Sequence, residues 1–119
     1  DINKEDRYFN KNSLFFACKS GNESLIKYLV EMGSDINKED SNGETPLFYV
    51  CYNGNKPIIE YFIELGADIN KENCKNETPL FEACNNGNEE IINYLIEHGA
   101  DINKRNLYDE TPLTRIRNH

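Results

Sequence analysis

The chain has no tryptophan, one methionine, four prolines and two histidines among 119 residues. Little acid–base or metal chemistry can be assembled from that stock. Neither His98 nor His119 has an organised serine, cysteine or carboxylate cluster around it in the sequence. There is no Gly-rich phosphate loop, no HExxH and no nucleophile elbow. The four cysteines include no CxxC and no Cys–His spacing, which excludes the usual zinc sites. An enzyme is therefore not expected, nor a cofactor or a bound metal. Long apolar runs are also missing. Pro57-Ile58-Ile59 and Tyr61-Phe62-Ile63 are among the longest, far short of the roughly 20 residues of a membrane span. No charged-then-apolar signal segment opens the chain. Positive charge is scarce, with 13 Lys and Arg against 21 Asp and Glu, a formal charge of -8 and a pI near 4.7. That balance argues against nucleic acid and against anionic membrane surfaces as partners. Hydrophobic content of 38% suits a thin, extended core better than a broad one.

What is present is repetition. "GSDIN", "GADIN" and "GADIN" begin at Gly33, Gly66 and Gly99; "TPLF", "TPLF" and "TPLT" begin at Thr45, Thr78 and Thr111. "ACKSGN", "VCYNGN" and "ACNNGN" begin at Ala17, Val50 and Ala83, so every interval is 33 residues. "NSLF" at Asn12 keeps the phase with two substitutions. Asp1 to Asp35 is 34 residues, which places one inserted residue within Arg7–Lys11. A fixed period of this length marks a solenoid of stacked units.

Each period reads as a turn and two short helices. Thr45 offers a hydroxyl to cap a helix, and Pro46 follows at the first helical position, where its missing N–H is harmless. Leu47, Val50 and Cys51 recur at i, i+3 and i+4 on one helical face. Gly54 stops this helix and Asn55 caps the next, with Pro57 in its first turn. Ile58, Ile59, Phe62 and Ile63 line the buried face of the second helix, which Gly66 ends. Asp68-Ile69-Asn70 is then expected to be extended, with Ile69 pointing inward. Asp40 to Gly43 carries the Asn-Gly signal of a hairpin tip. Helices of two or three turns are marginal in water, so the units must stack to bury their apolar faces.

The period, Thr45-Pro46-Leu47, Gly54 and Gly66-Ala67-Asp68 together resemble the ankyrin repeat family, over essentially the whole chain. The resemblance implies an all-α ankyrin-repeat solenoid of paired antiparallel helices with short β-hairpin-like loops. The chain departs from the family at three places, one of them Ser13 for Pro in the first unit. Phe15, Phe48, Phe81 and Thr114 stand where the family has His after Thr-Pro-Leu, so the family's Thr–His hydrogen bond is lost and an aromatic ladder is expected instead. Asn22, Asn55 and Asn88 replace the family's His after the helix-breaking glycine. The expected layout is a single domain over 1–119. Residues 1–5 end a preceding repeat, 6–39, 40–72 and 73–105 are repeats, and 106–119 is a polar C-terminal half-repeat.

Several residue types read as structural rather than chemical. Cys18, Cys51 and Cys84 fall 33 apart on the inner face of each first helix, where a small soft side chain fills a crowded contact. Cys74 falls in a loop and is expected to be exposed. Unpaired cysteines suit a reducing compartment, so an intracellular, cytoplasmic place is expected. Asn22-Glu23-Ser24 and Asn76-Glu77-Thr78 match the glycosylation sequon, as chance allows in a chain with 18 Asn. The abundance of Asn, Ile, Lys and Tyr correlates with an AT-rich genome. His98 suits the negative end of a helix dipole, and Glu89-Glu90 the positive end.

Positions that hold across repeats are structural, and those that differ are free for a partner. The differing positions fall in the tips, at Arg7, Tyr8, Phe9, Ser41, Asn42, Cys74, Lys75, Leu107 and Tyr108. They also fall at the first-helix ends, at Lys19, Ser20, Tyr52, Asn53, Asn85 and Asn86. A curved stack presents those places as one concave face. The resemblance implies the same surface for protein recognition, and Tyr and Arg are common interface anchors. A non-catalytic protein–protein interaction scaffold is thus expected. The alternatives are a spacer segment of a longer array, or a targeting or adaptor module of a multidomain effector or ubiquitin-ligase protein. A monomer is expected, with self-association through the N-terminal face as the alternative. The chain starts in mid-repeat, so a gene product extending before Asp1 is expected.

Overall fold

A computed structural model of the chain describes residues 13–117; Arg7, Tyr8 and Phe9 lie outside the described residues. Among the described residues seven helices follow one another: α1 (13–20), α2 (Glu23–Glu31), α3 (Pro46–Asn53), α4 (Lys56–Glu64), α5 (Pro79–Asn86), α6 (Glu89–Glu97) and α7 (Pro112–Arg117). No strand occurs among the described residues. Each unit pairs a first helix with a second, α3 with α4 and α5 with α6, and first helices stack as α3 on α5 on α7. The result is elongated, 47 × 26 × 22 Å.

The helix boundaries follow from local chemistry. Pro46 and Pro79 open α3 and α5 after an extended Thr45 and Thr78, and left-handed Gly54 and Gly87 close them. Two residues, the glycine and an asparagine, then separate the two helices of a unit. Asn22, Asn55 and Asn88 cap the second helices, their side-chain oxygens accepting from Leu25, Ile58 and Ile91 N–H. The threonines behave otherwise. Neither Thr45 nor Thr78 makes a side-chain cap bond, and both hydroxyls are buried without a hydrogen-bond partner. Phe48 and Phe81, almost fully buried, occupy the place from which a polar side chain would reach them. Where Thr114 stands instead, its hydroxyl lies 3.3 Å from that of Thr111.

The core runs the length of the stack. Leu14, Leu47 and Leu80, Cys18, Cys51 and Cys84, and Ile26, Ile58, Ile59, Phe62, Ile91 and Leu95 form one cluster. Each large side chain removed from water this way contributes about 1.5–3 kcal/mol. Burial pushes the Cys18 thiol up to about 12 and Cys84 up to about 11, so these thiols are packing groups rather than nucleophiles. The aromatic contacts do not form a simple phenylalanine ladder. Phe15 meets Tyr49 edge-on at 5.7 Å, and Phe81 lies beneath the Arg115 guanidinium at 5.5 Å.

The segment expected to be extended is a turn. Asp68 Oδ1 accepts from Asn70 N–H, and Lys71 N–H reaches back to the Asp68 carbonyl. Ile36 and Ile69 are half-buried against the core, and Ile102, at the last joint, is half exposed. Short polar side chains can mimic a backbone turn, which is why Asp-Ile-Asn bends here. The tips are tight turns closed by Gly43, Asn76 and Asp109, all with positive φ. At Gly43 a Cβ would also lie 3.2 Å from Asn73 Cα, because neighbouring tips nearly touch.

Candidate partner-binding surface

Asparagine side chains hold the tips in register. Asn73 Oδ1 accepts from Lys75 and Glu77 N–H, and its Nδ2 donates to Glu44 Oε2 at 2.9 Å in the preceding unit. Asn106 repeats this one unit later, accepting from Tyr108 and Glu110 N–H and donating to Glu77 Oε2 at 2.8 Å. A carboxamide accepts at one end and donates at the other, whereas an ionised aspartate only accepts and could not hold both sides. Backbone bonds link the tips as well, from Cys74 N–H to the Asn42 carbonyl and from Leu107 N–H to the Lys75 carbonyl. At the other side of the unit, Asn37 and Asn70 accept from Asp68 and Asp101 N–H of the following unit.

On this frame the predicted surface residues divide. Tyr52, Leu107 and Tyr108 are exposed at 63%, 62% and 67%, far more than aromatic and apolar side chains of a core. Ser41, Asn42, Cys74 and Lys75 are exposed at the tips. Lys19 is exposed, and its ammonium sits 5.2 Å from the Tyr49 ring centroid. Ser20 donates its hydroxyl to the Ala17 carbonyl of its own helix. Asn53 and Asn86 are occupied with the stack itself. Asn53 Nδ2 donates to the Cys18 and Lys19 carbonyls, and Asn86 Nδ2 to those of Cys51 and Tyr52. They close the C-terminal end of the preceding first helix, whose carbonyls have no partner within the helix. Asn85 accepts from Arg115 at 3.2 Å.

The structure adds residues that the differing-position reading did not select. A cleft of about 420 Å³ opens between α3, α5 and their tips. Phe48, Tyr49 and Tyr52 give it aromatic surface, Glu44 and Glu82 give it carboxylates, and Lys19 and Asn53 complete its lining. Burial, then the charge of Glu44, raise the Glu82 carboxyl above the usual range, against smaller opposing effects of Asn85 and Arg115. The Tyr49 hydroxyl donates a short hydrogen bond to Asp40, and its phenol is raised by burial and by that bond. A second, mainly apolar cleft of about 210 Å³ lies at the C-terminal end between α5, α6 and α7. Among the described residues no three His, Cys, Asp or Glu side chains converge to hold a metal ion. No described helix is long and apolar enough to cross a membrane.

Paired helices stacked in register, with tips projecting to one side, define a helical-repeat solenoid of the class that serves as a recognition scaffold. The family model described as ankyrin repeats in three copies matches residues 14–106, and the chain belongs to the ankyrin repeat family. It is similar to an ankyrin repeat protein of Acanthamoeba polyphaga mimivirus, 35% identical over 46 residues. Those residues are 39% of this chain and 6% of that protein, so the chain matches only a small part of its relative's length.

Proposed function

We propose that the chain is a non-catalytic scaffold that binds another protein through the concave face formed by the tips and the first helices. One observation carries this reading: Tyr52, Leu107 and Tyr108 are large and exposed, and Tyr52 lines a cleft with aromatic and carboxylate surface. Large exposed aromatic side chains beside a cleft are what a protein interface uses as anchors. Lys19, Ser41, Asn42, Cys74, Lys75 and Asn85 would surround them as contacts; Asn53 and Asn86 would act by holding the helix ends in place. Arg7, Tyr8 and Phe9 extend the proposed surface in sequence. The test is affinity capture with the wild-type chain and with Tyr52→Ala, Leu107→Ala and Tyr108→Ala combined. Bound proteins should be lost while the thermal midpoint is held within a few degrees. An unchanged set of bound proteins would sink this choice of surface.

A second reading, a segment of a longer array, is favoured by the apolar cleft at the C-terminal end. Ile96, Ile102 and Leu113 are exposed there, at the place where each earlier unit is covered by its successor. A chain extended by one further repeat would be expected to unfold at a higher temperature. No change in midpoint would count against this second reading.

A further inference from the structure

We propose that the cleft between Glu44 and Glu82 recognises an arginine side chain of the bound partner. This rests on the reading of the concave face as a protein-binding surface and names what one part of that surface takes. The repeat symmetry itself shows what fills this place when it is filled. Arg115 lies 33 residues after Glu82, in the same phase of the next unit. Its Nη2 is 2.5 Å from Glu77 Oε2, its Nη1 is 3.2 Å from Asn85 Oδ1, and its guanidinium lies over the Phe81 ring. Glu77, Phe81 and Asn85 are the counterparts of Glu44, Phe48 and Tyr52. So the chain already binds one arginine, its own, with the carboxylate-and-ring arrangement that the cleft repeats one unit earlier.

In the cleft the arginine is replaced by Glu82, and the space stays open. Asn73 Nδ2 donates to Glu44, as Asn106 does to Glu77, but among the described residues no cation pairs with Glu44 or Glu82. Lys19 is the one cation in the lining, and its ammonium sits over the Tyr49 ring. Two carboxylates therefore face one space without the charge that balances the twin site. Burial first, and then the charge of Glu44, raise the Glu82 carboxyl, with Asn85 and Arg115 opposing. An arginine suits the site better than a lysine. Its planar fork bonds a carboxylate through two N–H groups and stacks on an aromatic face, and here Tyr52 adds an exposed ring.

The test is an NMR titration of the 119-residue chain with a capped pentapeptide carrying one arginine between glycines. The same peptide with lysine or with citrulline serves as comparison. Saturable shifts are expected at Phe48, Tyr49, Tyr52 and Glu82, weaker with lysine and absent with citrulline, which has the shape without the charge. Glu82→Gln should weaken the arginine peptide on the order of tenfold. Glu82→Arg should abolish binding, because the chain's own guanidinium then takes the place as Arg115 does next door. Circular dichroism would confirm that both variants stay folded. Equal binding of citrulline, shifts scattered over the acidic surface, no saturation, or binding retained by Glu82→Arg would each overturn the inference. Selection of random displayed peptides on the same chain separates the two levels. Binders that depend on Tyr52 but carry no basic residue overturn arginine recognition and leave the protein-binding reading standing. Recovery of no binder that depends on Tyr52 or Tyr108 overturns both.

Discussion

The joint between the second and third units and the joint between the third and fourth are built on one plan. Both have an asparagine donating to a glutamate across the joint, Asn73 to Glu44 and Asn106 to Glu77. Both place a buried phenylalanine under the contact, Phe48 in one and Phe81 in the other. They differ at one in-phase position. Arg115 closes the later joint by pairing with Glu77 and Glu110, and Glu82 leaves the earlier joint open and doubly acidic. The difference separates two demands on one frame. The asparagine, leucine and cysteine positions keep the units stacked, and the position shared by Tyr49, Glu82 and Arg115 decides whether a joint is satisfied from within or from outside.

Removing the closing residue should break the comparison most strongly. Arg115→Ala leaves the buried Glu77 carboxylate with only Asn106 as a donor and is expected to cost about 3 kcal/mol in urea unfolding. Glu82→Ala, at the equivalent place, should cost far less; equal losses would mean that the two joints do not differ as described. The shared element should fail equally at both joints. Asn73→Ala and Asn106→Ala each strand two backbone N–H groups, for an expected loss of about 2 kcal/mol apiece; Glu44 also loses its donor, whereas Glu77 keeps Arg115. A large gap between the two, measured by the same unfolding curves, would show that the ladder is not one repeated device.

Smaller changes sharpen the picture. Thr78→Val replaces a buried, unpartnered hydroxyl with a methyl and should raise stability by up to about 1 kcal/mol. Thr111→Val should not, because that hydroxyl faces Thr114. The smallest expected effect is a pH dependence at Glu82, whose surroundings are Glu44, Glu77, Tyr49, Cys51, Asn85 and Arg115. Its carboxyl is raised in the fold, so the fold favours the protonated form. The resulting stability is fully present below the ordinary glutamate value, near about 4.3, and is lost as pH rises through the higher folded value. Glu82→Gln should therefore melt above the wild type at neutral pH, with the gap closing as pH falls towards 4. A gap independent of pH would exclude this cause.

The repeat period, the helix pairs and the core positions were all legible in the sequence, because stacking demands the same residue at the same phase. Leu47, Val50, Cys51, Ile58, Ile59 and Phe62 are buried as their spacing predicts. The threonine caps were misread because capping is a local rule, and Phe48 and Phe81 act on those hydroxyls from the tertiary structure. Asn53 and Asn86 were read as free because Ser20 breaks their phase; a single exception hid a joint bond whose acceptors lie 34 and 35 residues away. The cleft was within reach of the same method. Tyr49, Glu82 and Arg115 differ in charge and shape at one phase, a stronger signal than the tip residues gave. What the sequence does not display is distance across a joint, and so neither the Arg115–Glu77 pair nor its missing counterpart. The asparagine excess, read first as codon usage, has a physical use in these ladders.

The joints also have a direction. The later unit supplies the donor in the bonds from Asn73, Asn106, Asn53 and Asn86, in the tip bonds from Cys74 and Leu107, and in the ion pairs from Lys71 and Lys104. Among the described residues the Asn37 and Asn70 amides run the other way. In the language of symmetry such a contact is heterologous: its two sides are different, and neither complements itself. A twofold pairing of like ends would set donors against donors or acceptors against acceptors. Contacts of this kind propagate head to tail, so a stack of these units has polarity, as a filament does.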